Sequence, residues 1–168
     1  MRFTYCPDCG EKLALREIGD EGNIPFCEKC NRPLFDMFSS CVIILVGDGK
    51  DNVVLLRQNY ISEIYYNLVS GYIKPGETAE ECAKREVEEE IGLKVDKLDF
   101  VGTFWFGKKD MLMIAFIAET SDREISLSKE VDEAIWEDAR LALDKVHPKG
   151  SVSYTLVEKF LKNRFDSK

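Results

Sequence analysis

Beyond residue 38 the apolar positions alternate between the two spacings found in regular secondary structure. Residues 41–46 (Cys-Val-Ile-Ile-Leu-Val) form an unbroken apolar run closed by Gly47-Asp48-Gly49, the pattern of a buried strand and its turn, and residues 52–57 supply a partner strand. Residues 65–70, 98–106 and 111–118 read as further strands, the last two joined in a hairpin around Gly107-Lys108-Lys109-Asp110. Apolar residues at helical spacing predict helices over 78–91, near 136–143 and over 152–163. The mixture predicts an α/β fold in which helices cover a sheet. Residues 1–38 carry no such periodicity, and residues 35–40 read as a joint. The expected division is a small module over 1–38 and a larger domain over 39–168.

Cysteines explain the first segment. Four of the six lie within the first 30 residues, as Cys6-Pro7-Asp8-Cys9 and Cys27-Glu28-Lys29-Cys30 with seventeen residues between, the two-knuckle spacing that places four thiolates around one tetrahedral Zn2+. Two disulfides or a redox dithiol are the competing readings, and a reducing compartment disfavours the first. A segment this short cannot build a sufficient hydrophobic core, so the metal supplies its folding energy, and four protein ligands leave no open position for catalysis. Cys41 and Cys82 stand in apolar surroundings and read as small buried hydrophobes.

The helix over 78–91 carries the chemistry. Thr78 and Glu81 form a capping box and Gly92 a left-handed stop. Ala79, Ala83, Val87 and Ile91 make an apolar stripe, and Glu86 and Glu90 project beside or within it, with Glu89 next to Glu86. Carboxylates at i, i+3 and i+4 along a buried face repel one another unless a cation pairs them, and a divalent ion that prefers oxygen ligands does so. A solvated acidic face, the usual reading of a Glu-rich helix, places its acids on the other side. The loop Gly71-Tyr72-Ile73-Lys74-Pro75-Gly76-Glu77 enters this helix, and Arg85 is expected to tie Glu77 or a ligand carboxylate in place.

Gly71, five residues, Glu77, seven residues, then Arg85-Glu86-Val87-Glu88-Glu89-Glu90-Ile91-Gly92-Leu93 match every position of the box G-x5-E-x7-R-E-U-x-E-E-x-G-U, with U aliphatic. On these residues the chain resembles the Nudix family. The resemblance implies an α/β/α sandwich with a mixed sheet, here preceded by the small zinc ribbon, and hydrolysis of nucleoside diphosphate-linked compounds with Mg2+ or Mn2+. The order of ribbon, box and C-terminal helix resembles the NADH pyrophosphatase branch, as does Lys129-Glu130-Val131-Asp132-Glu133-Ala134-Ile135-Trp136. Carried over, Glu130 and the Ser70 carbonyl join Glu86, Glu89 and Glu90 around the catalytic metal, with Glu119 a weaker alternative. Glu89 is the expected general base, and Arg85 completes the catalytic set. Tyr72 occupies the position where relatives stack a base, Phe35 after the last ribbon cysteine is a second candidate for that role, and core packing is the alternative for either. The branch's S-Q-P-W-P-F-P-x-S segment falls on residues 103–111, where only aromatic character, including Trp105, survives. That departure leaves NADH as the leading member of a substrate class.

Composition narrows the partners. Lys plus Arg number 23 against 31 Asp plus Glu, a net charge of −8, which opposes non-specific attraction to nucleic acid or anionic lipid. Residues 1–38 hold five basic and seven acidic residues, unlike a nucleic-acid-binding ribbon. The longest apolar run, residues 111–118, falls far short of the roughly 18 residues of a membrane span, and residues 1–10 lack a leader's apolar core. The expectation is a cytoplasmic homodimer acting on a small nucleotide, with nucleic acid a partner only as a capped RNA end. His147, the single histidine, precedes Pro148 and reads as a surface loop residue. ADP-ribose or dinucleoside cleavage, RNA decapping and non-catalytic binding stand as alternatives.

Overall fold

The computed structural model describes residues 3–165; residues 1–2 and 166–168, the outer ends of the two expected segments, lie outside the described residues. The chain divides into two compact units, Met1–Ser39 and Ser40–Lys168.

The first unit is a three-stranded antiparallel sheet of β1 (Ala14–Glu17), β2 (Asn23–Cys27) and β3 (Arg32–Pro33). Its buried cluster holds only Cys6, Cys27 and Leu34, with Phe3, Cys9, Leu13 and Cys30 packed around them. So small a core makes the four sulfurs its main content.

The second unit is built on a six-stranded sheet. Its strands are β4 (Ser39–Gly47), β5 (Asn52–Arg57), β6 (Val69–Tyr72), β7 (Lys97–Phe106), β8 (Met111–Glu119) and β9 (Glu133–Asp138), in the order β7-β8-β4-β5-β9 with β6 paired to β4. β4 meets β6 along Cys41 to Ile44 and β5 at Gly47. Cys41 touches Met111 at one end of β4, and the Thr120 N–H bonds the Gly47 carbonyl at the other. β4 and β8 therefore run parallel while the other pairs are antiparallel, and the sheet is mixed.

The helices α1 (Ala79–Ile91), α2 (Ala139–Lys145) and α3 (Val152–Phe165) cover both faces. Period-2 alternation along β4 sorts the core: Val42, Ile44 and Val46 join Val87 and Ile91 of α1, whereas Ile43 and Leu45 join Ala142, Leu156 and Val157 of α2 and α3. The α/β/α sandwich follows directly. Ile91 is fully buried, and truncating such a residue to Ala costs on the order of 2–5 kcal/mol, so α1 is held firmly in register with the sheet.

Two expected elements differ. The segment at Trp136 is strand before it is helix: residues 133–138 pair one for one with β5, and α2 begins only at Ala139, capped by Asp138. Ala134 and Trp136 pack toward α1 and Ile135 toward α2 and α3, which is strand alternation in a run short enough to mimic a helical stripe. Residues 65–70 are also displaced. Tyr66 and Asn67 make only isolated bridges, and the regular strand runs through Gly71 to Tyr72.

Candidate active site and cysteine cluster

α1 begins at Thr78, whose side chain accepts from the Glu81 N–H while Glu81 accepts from the Thr78 N–H, the expected capping box. It ends at Gly92, with φ 69°; a side chain there would also strike Ser126 at 2.8 Å. Between these caps the buried residues are Cys82, Ala83, Val87, Glu90 and Ile91, so one of the glutamates is part of the core.

Arg85 organises the others. Its Nε and Nη2 donate to the two oxygens of Glu77 at 2.6 and 2.9 Å, its Nη1 donates to Glu86 at 2.6 Å and Glu89 at 2.8 Å, and Nη2 also reaches the Tyr72 carbonyl at 3.2 Å. The fork of one guanidinium thus locks the loop glutamate onto the helix and gathers two box carboxylates beside it. These bonds hold the Glu77 carboxyl down at about 2. Burial pushes Glu86 up, against the pull of Arg85. Glu89 remains the exposed member, with Lys74 Nζ at 3.7 Å from its other oxygen.

Gly71 is explained by Glu86. A Cβ on Gly71 would lie 1.9 Å from Glu86 Cδ and 2.0 Å from its Oε1, so the helix carboxylate occupies the space that any side chain would fill. Cys82, fully buried, lies beneath the same turn with its sulfur 3.3 Å from Arg85 Nη2.

Glu90 is 5% exposed. Its Oε1 accepts from Gln58 Nε2 at 3.1 Å, while Oε2 is buried with no side-chain hydrogen-bond partner among the described residues. Burial, reinforced by Glu86 and Glu130, raises this carboxyl to about 8, while Gln58 and the Ser70 backbone draw it back. The Ser70 backbone therefore lies beside the Glu90 carboxyl. Glu130 is exposed on the turn before β9; the Ser126 and Ser128 N–H groups bond the Ile91 and Glu90 carbonyls and tie that loop to the end of α1. Glu119 lies at the far end of β8, paired with Lys97, away from this group.

No three of the carboxylates of Glu86, Glu89, Glu90 and Glu130 approach as closely as the four cysteine sulfurs do. The donor set nevertheless suits a hard divalent cation, being all oxygen with one buried carboxylate oxygen unpartnered.

Tyr72 is 54% exposed at the end of β6. Register carries the position across the sheet: Tyr72 opposes Cys41, Cys41 touches Met111, Met111 opposes Phe106, and Trp105 opposes Leu112. Tyr72 and Trp105, both exposed, thus share one end of the sheet. Phe35 is exposed in the segment after β3, within the first unit. His147 is half-buried against the Tyr65 ring at 5.0 Å. Sequence reasoning missed Gln58 and Tyr60. Gln58 lies one residue beyond the end of β5 and is buried, and nothing in the sequence links it to the box. Tyr60 is exposed, and burial followed by Glu90, Glu130 and Asp132 raises its phenol, placing it beside the same carboxylates.

In the first unit the sulfurs of Cys6, Cys9, Cys27 and Cys30 lie within 4.8 Å of one another, all as free thiols. Cys9 and Cys27 are 3.5 Å apart and Cys6 and Cys30 are 3.9 Å apart. A Zn–S bond of about 2.3 Å gives a tetrahedral edge of about 3.8 Å, which these spacings match. Backbone N–H groups of Cys9 and Asp8 overcome burial and bring the Cys6 thiol down to about 7, whereas crowding by Cys9 and Cys27 pushes Cys30 to about 12. Four sulfurs that cannot all ionise together suit a dication at their centre.

The fold and box define the class. The NUDIX domain family matches residues 37–159, most of the chain, and the protein belongs to that family. It is 29% identical over 160 residues to a protein of Photobacterium profundum named NAD-capped RNA hydrolase NudC, covering 94% of this chain and 58% of that protein. A protein of the same name from Chromobacterium violaceum is 31% identical over 137 residues, 80% of this chain and 49% of that one. The chain spans about half the length of these curated relatives. Among solved structures, a NUDIX hydrolase from Nitrosomonas europaea superposes with TM-score 0.75 at 17% identity, covering 99% of this chain and 94% of that one. The NUDIX domain of Shewanella oneidensis NrtR, solved with ADP ribose, gives TM-score 0.65 at 14% identity over 82% and 93%. These two likenesses concern the fold.

Proposed function

We propose that this protein is a metal-dependent pyrophosphohydrolase that cleaves a nucleoside diphosphate-linked compound, with an NADH- or NAD-type dinucleotide, split into AMP and nicotinamide mononucleotide, as its leading substrate. The observation that carries the reading is the buried, unpartnered Oε2 of Glu90 beside the Glu86 and Glu89 carboxylates that Arg85 gathers on the same helix. A pyrophosphate must approach these acids in a chain of net charge −8, which demands intervening cations. Mg2+ or Mn2+ held by these carboxylates would offset the charge that develops on the phosphates and make the attacking water more acidic.

Glu86, Glu90, Glu130 and the Ser70 carbonyl are the proposed ligands. Glu89, the solvent-facing box glutamate, takes the proton of the attacking water, and Arg85 holds the geometry. Tyr72 and Trp105, which share one end of the sheet, offer exposed aromatic faces for a base. Zn2+ in the cysteine cluster is structural. The names of the curated relatives favour a second reading, cleavage of the same bond at an NAD-capped RNA end. Six free thiols fit a reducing cytoplasm, and a homodimer is the proposed assembly, open to sedimentation analysis.

The test is a panel of NADH, NAD, ADP-ribose, dinucleoside polyphosphates and NAD-capped RNA, each with Mg2+ and Mn2+, with products identified by mass. Release of AMP and the reduced mononucleotide from NADH supports the leading reading. Cleavage of another member alone moves the specificity to that compound. A folded protein that cleaves none is a binding protein instead.

A further inference from the structure

The glutamates of the site are served by two kinds of partner. Glu77, Glu86 and Glu89 receive the positive charge of Arg85. Glu90 receives an uncharged amide, the Gln58 Nε2, at 3.1 Å from its Oε1. Both side chains are enclosed, Gln58 at 1% exposure and Glu90 at 5%. Gln58 follows the apolar residues 53–56 of β5, and Leu56 two positions earlier packs under α1 with Val87 and Ile91. An apolar side chain at 58 would continue that surface. The glutamine instead leaves its own Oε1 buried without a partner, which counts against stability, so its single hydrogen bond to Glu90 has to be understood some other way.

We propose that Gln58 is a positioning residue for Glu90: it fixes Oε1 through a neutral donor and leaves Oε2, the oxygen without a partner, for the divalent cation. A lysine or arginine at this place would also bind the carboxylate but would oppose the cation with a charge of its own. The amide orients without competing, in the way that hydrogen-bond partners outside a metal's own ligands set the ligand's direction. The assignment rests on the metal-dependent reading of the site given above.

The experiment uses the full chain and its Gln58→Met and Gln58→Asn variants. Gln58→Met has similar length and no donor, and Gln58→Asn keeps the amide but falls short of Glu90. Mn2+ affinity is measured by electron paramagnetic resonance without substrate, with kcat and KM for the cleaved dinucleotide and the thermal midpoint of the metal-free protein. The expected result is a 10- to 100-fold weaker Mn2+ affinity in both variants. A comparable fall in kcat at fixed Mn2+ accompanies it, with KM within about threefold and a Gln58→Met midpoint close to that of the wild type, since the unpartnered Gln58 oxygen is lost while Glu90 Oε1 loses its donor. Variants that bind Mn2+ and turn over like the wild type overturn the proposal, as does a lowered midpoint in both with Mn2+ affinity unchanged. If Gln58→Met does not fold, Gln58→Asn decides alone. A wild-type protein that neither binds Mn2+ nor cleaves any diphosphate removes the parent reading instead, and the two failures are thereby told apart.

Discussion

Replacing Gly71 by alanine adds one methyl group to the floor of the site. Its Cβ would sit 1.9 Å from Glu86 Cδ, 2.0 Å from Oε1 and 2.5 Å from Cγ, where ordinary contact begins near 3.4 Å, so something must yield by about 1.5 Å. The strand is held on its far side, because Gly71 pairs with Val42 in β4 and Val42 is fully buried. The Glu86 carboxylate must therefore leave its place beside Arg85. Overpacking of this kind costs about 1–3 kcal/mol, toward the lower end here because the displaced group is the tip of a side chain. Misplacing a reacting constellation by about 1 Å can cost on the order of 10²-fold in rate, or about 2.7 kcal/mol in barrier. The expectation is thus a roughly 100-fold drop in kcat/KM for the cleaved dinucleotide in Gly71→Ala, with a thermal midpoint only a few degrees lower. Because both changes act through one carboxylate, Gly71→Ala combined with Glu86→Gln should lose little more than Glu86→Gln alone. Activity of Gly71→Ala within threefold of wild type, or fully additive losses in the double variant, would mean that Gly71 does not act by making room for Glu86.

Arg85→Lys exchanges a fork serving Glu77, Glu86 and Glu89 for a point charge, and steady-state assays should show kcat/KM falling about 10- to 100-fold with the fold retained by circular dichroism. Asp48 accepts hydrogen bonds from Asn52 and Arg123 that outweigh its burial and hold it at about 2. Since its folded value lies below its unfolded one near 3.9, the stabilisation is complete above about pH 4 and is lost as pH falls toward 2. Denaturant melts of wild type and Asp48→Asn should accordingly differ by roughly 2 kcal/mol at pH 6, the gap closing near pH 2. Removal of zinc with a strong chelator, or Cys9→Ala, should release one zinc per chain in a colorimetric assay and open residues 3–39 to protease, while the helical signal of the larger unit persists.

Helix α1 was the most legible element because every level of its sequence agrees. The capping box at Thr78, the stop at Gly92 and the stripe through Ala83, Val87 and Ile91 specify one helix with one buried face. The same stripe exposed Glu90 as an acid in the core. The cysteine spacing was equally direct, since two matched knuckles leave few other geometries. Less was legible where a short apolar run satisfies two periods at once. Residues 136–138 read as part of a helix because α2 follows at Ala139 without a break, and only the pairing with β5 separates the two. Gly71 looked like loop because glycine usually ends a strand, whereas here it extends β6 to admit Glu86. Gln58 was hidden for another reason: a whole loop separates it from the box, and its role exists only once β5 and α1 are packed together.

In the proposed reaction water attacks phosphorus at the carboxylates of α1. Its most direct test is cleavage of NADH with Mn2+ in 18O-labelled water, by the wild type and by Glu89→Gln, with the products weighed by mass spectrometry. One 18O atom is expected in one of the two monophosphates from the wild type, and a rate at least about 10²-fold lower from a Glu89→Gln protein that still folds. Label in neither product, or a Glu89→Gln variant that cleaves at the wild-type rate, would contradict that reaction.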